Sequence, residues 1–146
     1  MNLNIRGIFL LTQRIGAKSM LPAKRGRIIN IASIAGLGGN AAFLKTIAYN
    51  TSKGACITFT QALAAEWGPS GITVNAIAPG AFRTKMTEGV FTALGADKLS
   101  DNVPLRRTGD DEDLKGLVLL LASDAGKHIT GQVVAVDGGI SSVLAA

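Results

Sequence analysis

Tyr49 and Lys53 stand four positions apart in the stretch AYNTSKGACITFTQALAAEWG. A phenol beside an ammonium is a direct way to build a proton donor or acceptor that works near neutral pH. An isolated phenol titrates near pH ~10 and exchanges its proton poorly at pH 7. A cation within ~4–6 Å favours the phenolate. Residues i and i+4 of a helix lie on one face, so this spacing delivers the contact if the segment is helical. By itself the pair also reads as two neighbours on a helix surface.

The elements around the pair decide between these readings. Upstream, GRIINIASIAG reads as a short strand, Arg27 to Ala32, ending at Ser33 and a turn at Gly36. Downstream, GITVNAIAPG reads as a strand from Ile72 to Ala78, ending at Pro79 and Gly80. The helix between them, 48–67, is closed by Gly68-Pro69, a strong stop signal. Strand–helix–strand of this kind makes a parallel crossover. Ligands of open parallel sheets sit outside the carboxyl ends of the strands. Ser33, Tyr49 and the Pro79-Gly80 turn all fall at that end, so one pocket is expected to gather them.

These residues carry a resemblance. Asn4 to Gly7 (NIRG), Ser33 in INIASIAG, Tyr49 to Lys53 (YNTSK), Asn75 to Gly80 (NAIAPG), Thr84 and the closing ITGQVVAVDGG occur in that order and cover nearly all 146 residues. The chain closely resembles the C-terminal part of the short-chain dehydrogenase/reductase family. YxxxK alone is a weak signal, whereas the ordered set is specific. The stretch between Ser33 and Tyr49 is a few residues longer than the family pattern, and the extra length lies in Leu37 to Ile47.

The resemblance implies roles. Tyr49 would be the general acid that protonates a carbonyl oxygen, or the base in the reverse direction. Lys53 would favour its phenolate and hydrogen-bond the nicotinamide ribose of NAD or NADP. Ser33 would hold the substrate oxygen, and Asn4 would position a water relaying protons to Lys53. Pro79 and Gly80 would line the nicotinamide pocket, with the Thr84 hydroxyl reaching the carboxamide. Other readings stand beside these: Ser33 as a strand-end cap, Asn4 as a helix cap, and Thr87 in place of Thr84.

In this family a glycine-rich turn and several strands precede the catalytic part and carry most of the dinucleotide site. No such glycine pattern is present here. Gly36, Gly38 and Gly39 follow a strand, but no helix start or downstream acidic residue completes a dinucleotide fingerprint. The expected fold is therefore α/β, a Rossmann-like doubly wound parallel sheet truncated to its C-terminal half. About three strands with flanking helices would form one unit over 1–146. The function implied is an NAD(P)-dependent oxidoreductase acting on a small-molecule ketone or secondary alcohol, with 3-oxoacyl or sugar-acid substrates among the candidates. The alternative is a non-catalytic fragment acting in folding or assembly.

Composition narrows the setting. With 47% hydrophobic residues, the chain is large enough for one core. The longest apolar run, Leu117 to Ala122, falls short of the ~20 residues that span a bilayer. No membrane association is expected, and the single cysteine fits a reducing, cytoplasmic setting. One His and one Cys make a metal site unexpected; His128 reads as surface and Cys56 as a small buried hydrophobe. The net charge is +5. Lys18, Lys24, Arg25 and Arg27 form one basic group, and Arg83, Lys85, Arg106 and Arg107 another. They read as solvated surface, with docking of an acidic carrier protein as the rival. Without interleaved aromatics or a recognition motif, nucleic acid is not an expected partner.

The remaining elements follow from periodicity. Residues 4–21 read as a first helix with Ile8, Leu11 and Ile15 at apolar spacing. Residues 34–47 read as a loop and 81–104 as irregular or short-helical. Asp110 to Asp113 are expected at the start of a helix whose buried stripe is Leu114, Leu117, Val118 and Leu121. Gly131 to Asp137 supplies the last strand. Strand Arg27 to Ala32 would present an open edge. By resemblance, the first two long helices would pack against a second copy in a homo-oligomer.

Overall fold

The computed structural model describes residues 1–40 and 45–143. Part of the expected 34–47 loop lies outside them. Three strands, β1 (Gly26–Ile31), β2 (Ile72–Pro79) and β3 (Val133–Val136), form one parallel sheet in the order β1-β2-β3. Gly26 pairs with Ile72 at one end of the first ladder and Ile31 with Ile77 at the other; Ala76 pairs with Val133 in the second. The three parallel strands are as expected, though β3 is shorter than 131–137.

The first helical run covers 2–23. Its centre is α1 (Ile8–Ile15), flanked by π-helical turns at Asn2–Gly7 and Gly16–Met20 and completed by α2 (Leu21–Ala23). Lys24 ends it in the left-handed region, φ 48°, with its N–H donating to the Leu21 carbonyl at 3.2 Å. Of the expected apolar stripe only Ile8 reaches the core, packing beside Ala32, Cys56 and Ala76. Leu11 and Ile15 instead face an open groove along the outer side of β1. The spacing holds, but the groove leaves their apolar surface in contact with solvent.

The crossover helix α3 (Ile47–Trp67) joins β1 to β2. β2 is the buried centre of the sheet from Ile72 to Ala78, which explains its near-continuous apolar sequence. Leu63 and Ala64 of α3 pack on Ile72 and Val74, with Phe59 and Trp67 at the margin. Burying an aliphatic side chain of this size contributes about 1.5–3 kcal/mol. The polar groups inside this layer are partnered: Asn75 donates to the Ile129 carbonyl and accepts from the Gln132 N–H, and Asn30 donates to Thr60. Thr73 Oγ1 is the exception, buried without a hydrogen-bond partner among the described residues. Cys56 is buried in the second cluster; desolvation raises its thiol pKa, partly opposed by the charge of Lys53.

Two short helices, α4 (Glu88–Leu94) and α5 (Ala96–Asp101), occupy the segment after β2, and α6 (Lys115–Ala122) precedes β3. The acidic group 110–113 does not form the first turn of α6. Asp110 accepts from the Glu112 N–H and Asp113 from the Asp110 N–H, so these side chains fold the backbone into a turn before the helix begins. The α6 stripe is also narrower than expected. Leu121 is buried and Leu114 and Leu117 are half-buried, but Val118 is 37% exposed. The sheet strand that α6 packs against is β1, an edge strand among the described residues, which leaves one side of the helix uncovered.

Candidate active site

Ser33 follows β1 directly and caps the short turn Ile34–Gly36, its hydroxyl oxygen accepting the Ala35 N–H at 3.1 Å. The capping reading is realised, and the hydroxyl keeps its own proton to donate. The turn is pressed onto α3: a Cβ on Gly36 would lie 2.7 Å from the Lys53 backbone. This close approach sets Ser33 against the stretch of α3 that carries Tyr49 and Lys53.

Within α3 the expected contact forms. The Lys53 ammonium lies 5.7 Å from the centre of the Tyr49 ring and donates to the Ile31 carbonyl at 2.8 Å. Behind the pair, Asn4 Nδ2 donates to Ser52 Oγ at 3.1 Å, and the Ser52 hydroxyl donates to the Tyr49 carbonyl at 2.8 Å. Asn4 thus braces the helical turn of Tyr49 and lies outside the cleft that the other candidates share.

That cleft, about 340 Å³, is lined by Ser33, Tyr49, Lys53, Pro79, Gly80 and Thr84. Gly80 closes the strand end, its N–H donating to the Val136 carbonyl at 3.0 Å. Thr84 and Thr87 share one knot: their hydroxyl oxygens are 3.0 Å apart, the Thr84 N–H donates to Thr87 Oγ1, and the Thr87 hydroxyl donates to the Phe82 carbonyl at 2.6 Å. A parallel bridge between Phe82 and Gly109 ties this segment to the turn bearing Asp110 and Asp111, which also reach the cleft.

A family profile described as enoyl-(acyl carrier protein) reductase matches residues 1–141. The chain is 43% identical over 140 residues to a 3-oxoacyl-[acyl-carrier-protein] reductase of Synechocystis, covering 95% of this chain and 53% of that protein. The chain belongs to the short-chain dehydrogenase/reductase family. A second relative in the family is a 2-dehydro-3-deoxy-D-gluconate 5-dehydrogenase of Dickeya dadantii, 37% identical, with 95% of this chain and 54% of that protein covered. Among solved members, a gluconate 5-dehydrogenase from Burkholderia cenocepacia in complex with NADP and tartrate superposes with a TM-score of 0.89 at 33% identity, covering 97% and 54%. The chain thus spans about half the length of the short-chain dehydrogenases/reductases it matches.

Sequence reasoning missed Phe82, Met86, Asp110 and Asp111 as cleft residues, because their position depends on the bridge to Gly109 and on no local motif. It found Arg83 and Arg107 as charges but not their neutralisation. Arg83 donates twice to Glu88, at 2.8 and 3.2 Å, and Arg107 twice to Asp113, both at 2.6 Å. The Arg83 hydrogen bond holds the Glu88 carboxyl below its ordinary range, and the Arg107 hydrogen bond brings Asp113 to about 2. Arg27 likewise pairs with Asp124 at 3.3 Å. Among the described residues no group of three or more His, Cys, Asp or Glu is placed to hold a metal ion, and no helix is long and apolar enough to cross a membrane.

Proposed function

We propose that this chain carries the proton-transfer half of an NAD(P)-dependent oxidoreductase that interconverts a ketone and a secondary alcohol. The observation that carries the reading is the convergence of Ser33, Tyr49 and Lys53 in one cleft at the carboxyl ends of β1 and β2. In the reducing direction the Ser33 hydroxyl donates to the carbonyl oxygen and orients it. The Tyr49 phenol gives that oxygen its proton as the carbonyl carbon gains a hydride. Lys53 supplies the positive charge beside the phenol, and solvent returns the proton to Tyr49. Asn4 serves this site from behind, through Ser52 and the turn that holds Tyr49.

The donor set fits the nicotinamide end of the cofactor. Lys53 spends one of its three N–H groups on Ile31, leaving two for a ribose, and the Pro79-Gly80 turn and Thr84 flank the space. NAD or NADP would supply the hydride in reduction and accept it in oxidation. Relatives acting on 3-oxoacyl carriers and on a deoxygluconate support a carbonyl substrate. An acidic carrier would meet Lys85 and Arg106, the members of the second basic group without a carboxylate partner among the described residues. A homo-oligomer through the first helical run and α3, and a cytoplasmic setting, belong to the same reading.

One observation favours the alternative, a fragment serving assembly. Ile31, at the end of β1, is 52% exposed, and the outer side of that strand is open among the described residues. Titration of the purified chain with NADH and NADPH, followed by cofactor fluorescence, separates the two. Saturable binding supports the oxidoreductase; a folded chain that binds neither supports the fragment.

A further inference from the structure

A smaller cavity, about 150 Å³, adjoins the Tyr49 cleft, and Phe82 and Gly109 line both spaces. The backbone that carries the Phe82 ring is pinned on two sides. The Gly109 N–H donates to the Ala81 carbonyl at 2.9 Å, and the Thr87 hydroxyl donates to the Phe82 carbonyl at 2.6 Å. With its backbone held, Phe82 moves only by rotating its side chain. The tip of the ring rests against Gly109: a Cβ there would stand 2.4 Å from Cζ and 2.5 Å from Cε1. Only glycine leaves the ring this place.

The smaller cavity offers a ligand apolar contact. Ala81, Val103, Leu105 and Val136 are among its walls. Its charged groups are committed to one another or to the backbone. Arg107 donates twice to Asp113, and the Asp137 carboxylate accepts the N–H groups of Gly139 and Ser141, both at 2.9 Å. An apolar cavity of about 150 Å³ is large enough for a benzene-sized molecule.

We propose that the Phe82 ring, seated on Gly109, is the partition between the two cavities and sets how far an apolar arm of the substrate is buried. A ketone with its oxygen at Ser33 and Tyr49 keeps such an arm in the open cleft while the ring stands. Without the ring, the arm enters the smaller cavity and leaves water. This rests on the reading of Tyr49 as the proton donor, because that reading places the ketone.

The test is calorimetric titration of the chain, without cofactor, with cyclohexanone and with 4-phenylcyclohexanone. Wild type should bind the two within about three-fold of each other, since the phenyl arm stays in solvent. In Phe82→Ala the preference for the phenyl compound should rise at least about ten-fold, the gain expected for burying a group of that size. Phe82 is half-buried; should the alanine variant fail to fold, Phe82→Leu should show a smaller rise in the same direction. A second readout tests the seat of the ring. The three atoms nearest to a Cβ on Gly109 all belong to Phe82, so Gly109→Ala should lower the urea midpoint of wild type and leave that of Phe82→Ala or Phe82→Leu less affected. An unchanged preference after Phe82 is cut back, binding of neither probe, or a Gly109→Ala loss as large without the ring would overturn the proposal. No cofactor is present and no proton moves, so such a failure leaves the proton-transfer reading standing. Loss of NADH and NADPH binding would sink that reading and leave this measurement intact.

Discussion

Lys53 donates to the backbone carbonyl of Ile31 at 2.8 Å, and that carbonyl lies on the side of β1 turned away from β2. The Ala32 N–H faces β2, donating to the Ile77 carbonyl at 2.7 Å, and alternation along a strand turns its neighbour the other way. The lysine is therefore anchored to the open edge of the sheet while its charge sits beside Tyr49. Lys53→Met removes both anchor and charge. Cofactor affinity and turnover should each fall at least about ten-fold, read from fluorescence titration and steady-state rates; a variant that loses neither would refute the role given to Lys53.

Tyr49→Phe keeps the ring and deletes the transferable proton. Losses of about 10²–10⁴-fold are typical when a general acid is removed, and turnover should fall by that much. Cofactor binding should stay within about two-fold, because Lys53 and the Pro79-Gly80 turn are untouched. Rates near wild type would assign the proton to another group.

Gly36→Ala tests how closely the Ser33 turn must approach α3. The added Cβ would stand 2.7 Å from the Lys53 backbone carbon and 2.8 Å from its oxygen, and backbone cannot move aside as a flexible side chain can. Overpacking of this kind costs about 1–3 kcal/mol. Urea denaturation should show a loss in that range; an unchanged midpoint would mean the turn shifts freely.

The Arg107–Asp113 pair predicts a pH dependence of stability. The Arg107 hydrogen bond, aided by the Asp110 N–H, holds Asp113 at about 2, against ~3.9 for an unperturbed aspartate. A depressed carboxyl contributes stability above its unfolded value and loses it as pH falls through the folded one. Asp113→Asn should therefore melt below wild type at pH 5–7, with the gap closing between about pH 4 and 2. The pair is exposed to solvent, so the gap should be small and shrink with salt. Melting curves that stay parallel down to pH 2 would contradict the assignment.

The sheet and α3 were legible in the sequence because their signals are local. GRIINI and ITVNAIAP are apolar runs between turn residues, and Gly68-Pro69 stops the helix where the structure does. Tyr49 and Lys53 meet because the helix spacing alone dictates it. The stripe of α6 was legible only as a period: its spacing says which residues share a face, not that the strand beneath is an edge, so Val118 remains exposed. Asn4 was legible as a residue of interest, while its partner Ser52, 48 positions away, was not.

The threonine knot holds one wall of the cleft without spending the hydroxyl that faces it. Thr87 accepts the Thr84 N–H at 2.8 Å and directs its own proton to the Phe82 carbonyl at 2.6 Å. Thr84 Oγ1 accepts the Thr87 N–H at 3.3 Å, and its proton can turn to Thr87 Oγ1, 3.0 Å away, or into the cleft. A primary amide entering beside it can thus be met through its oxygen or through its nitrogen.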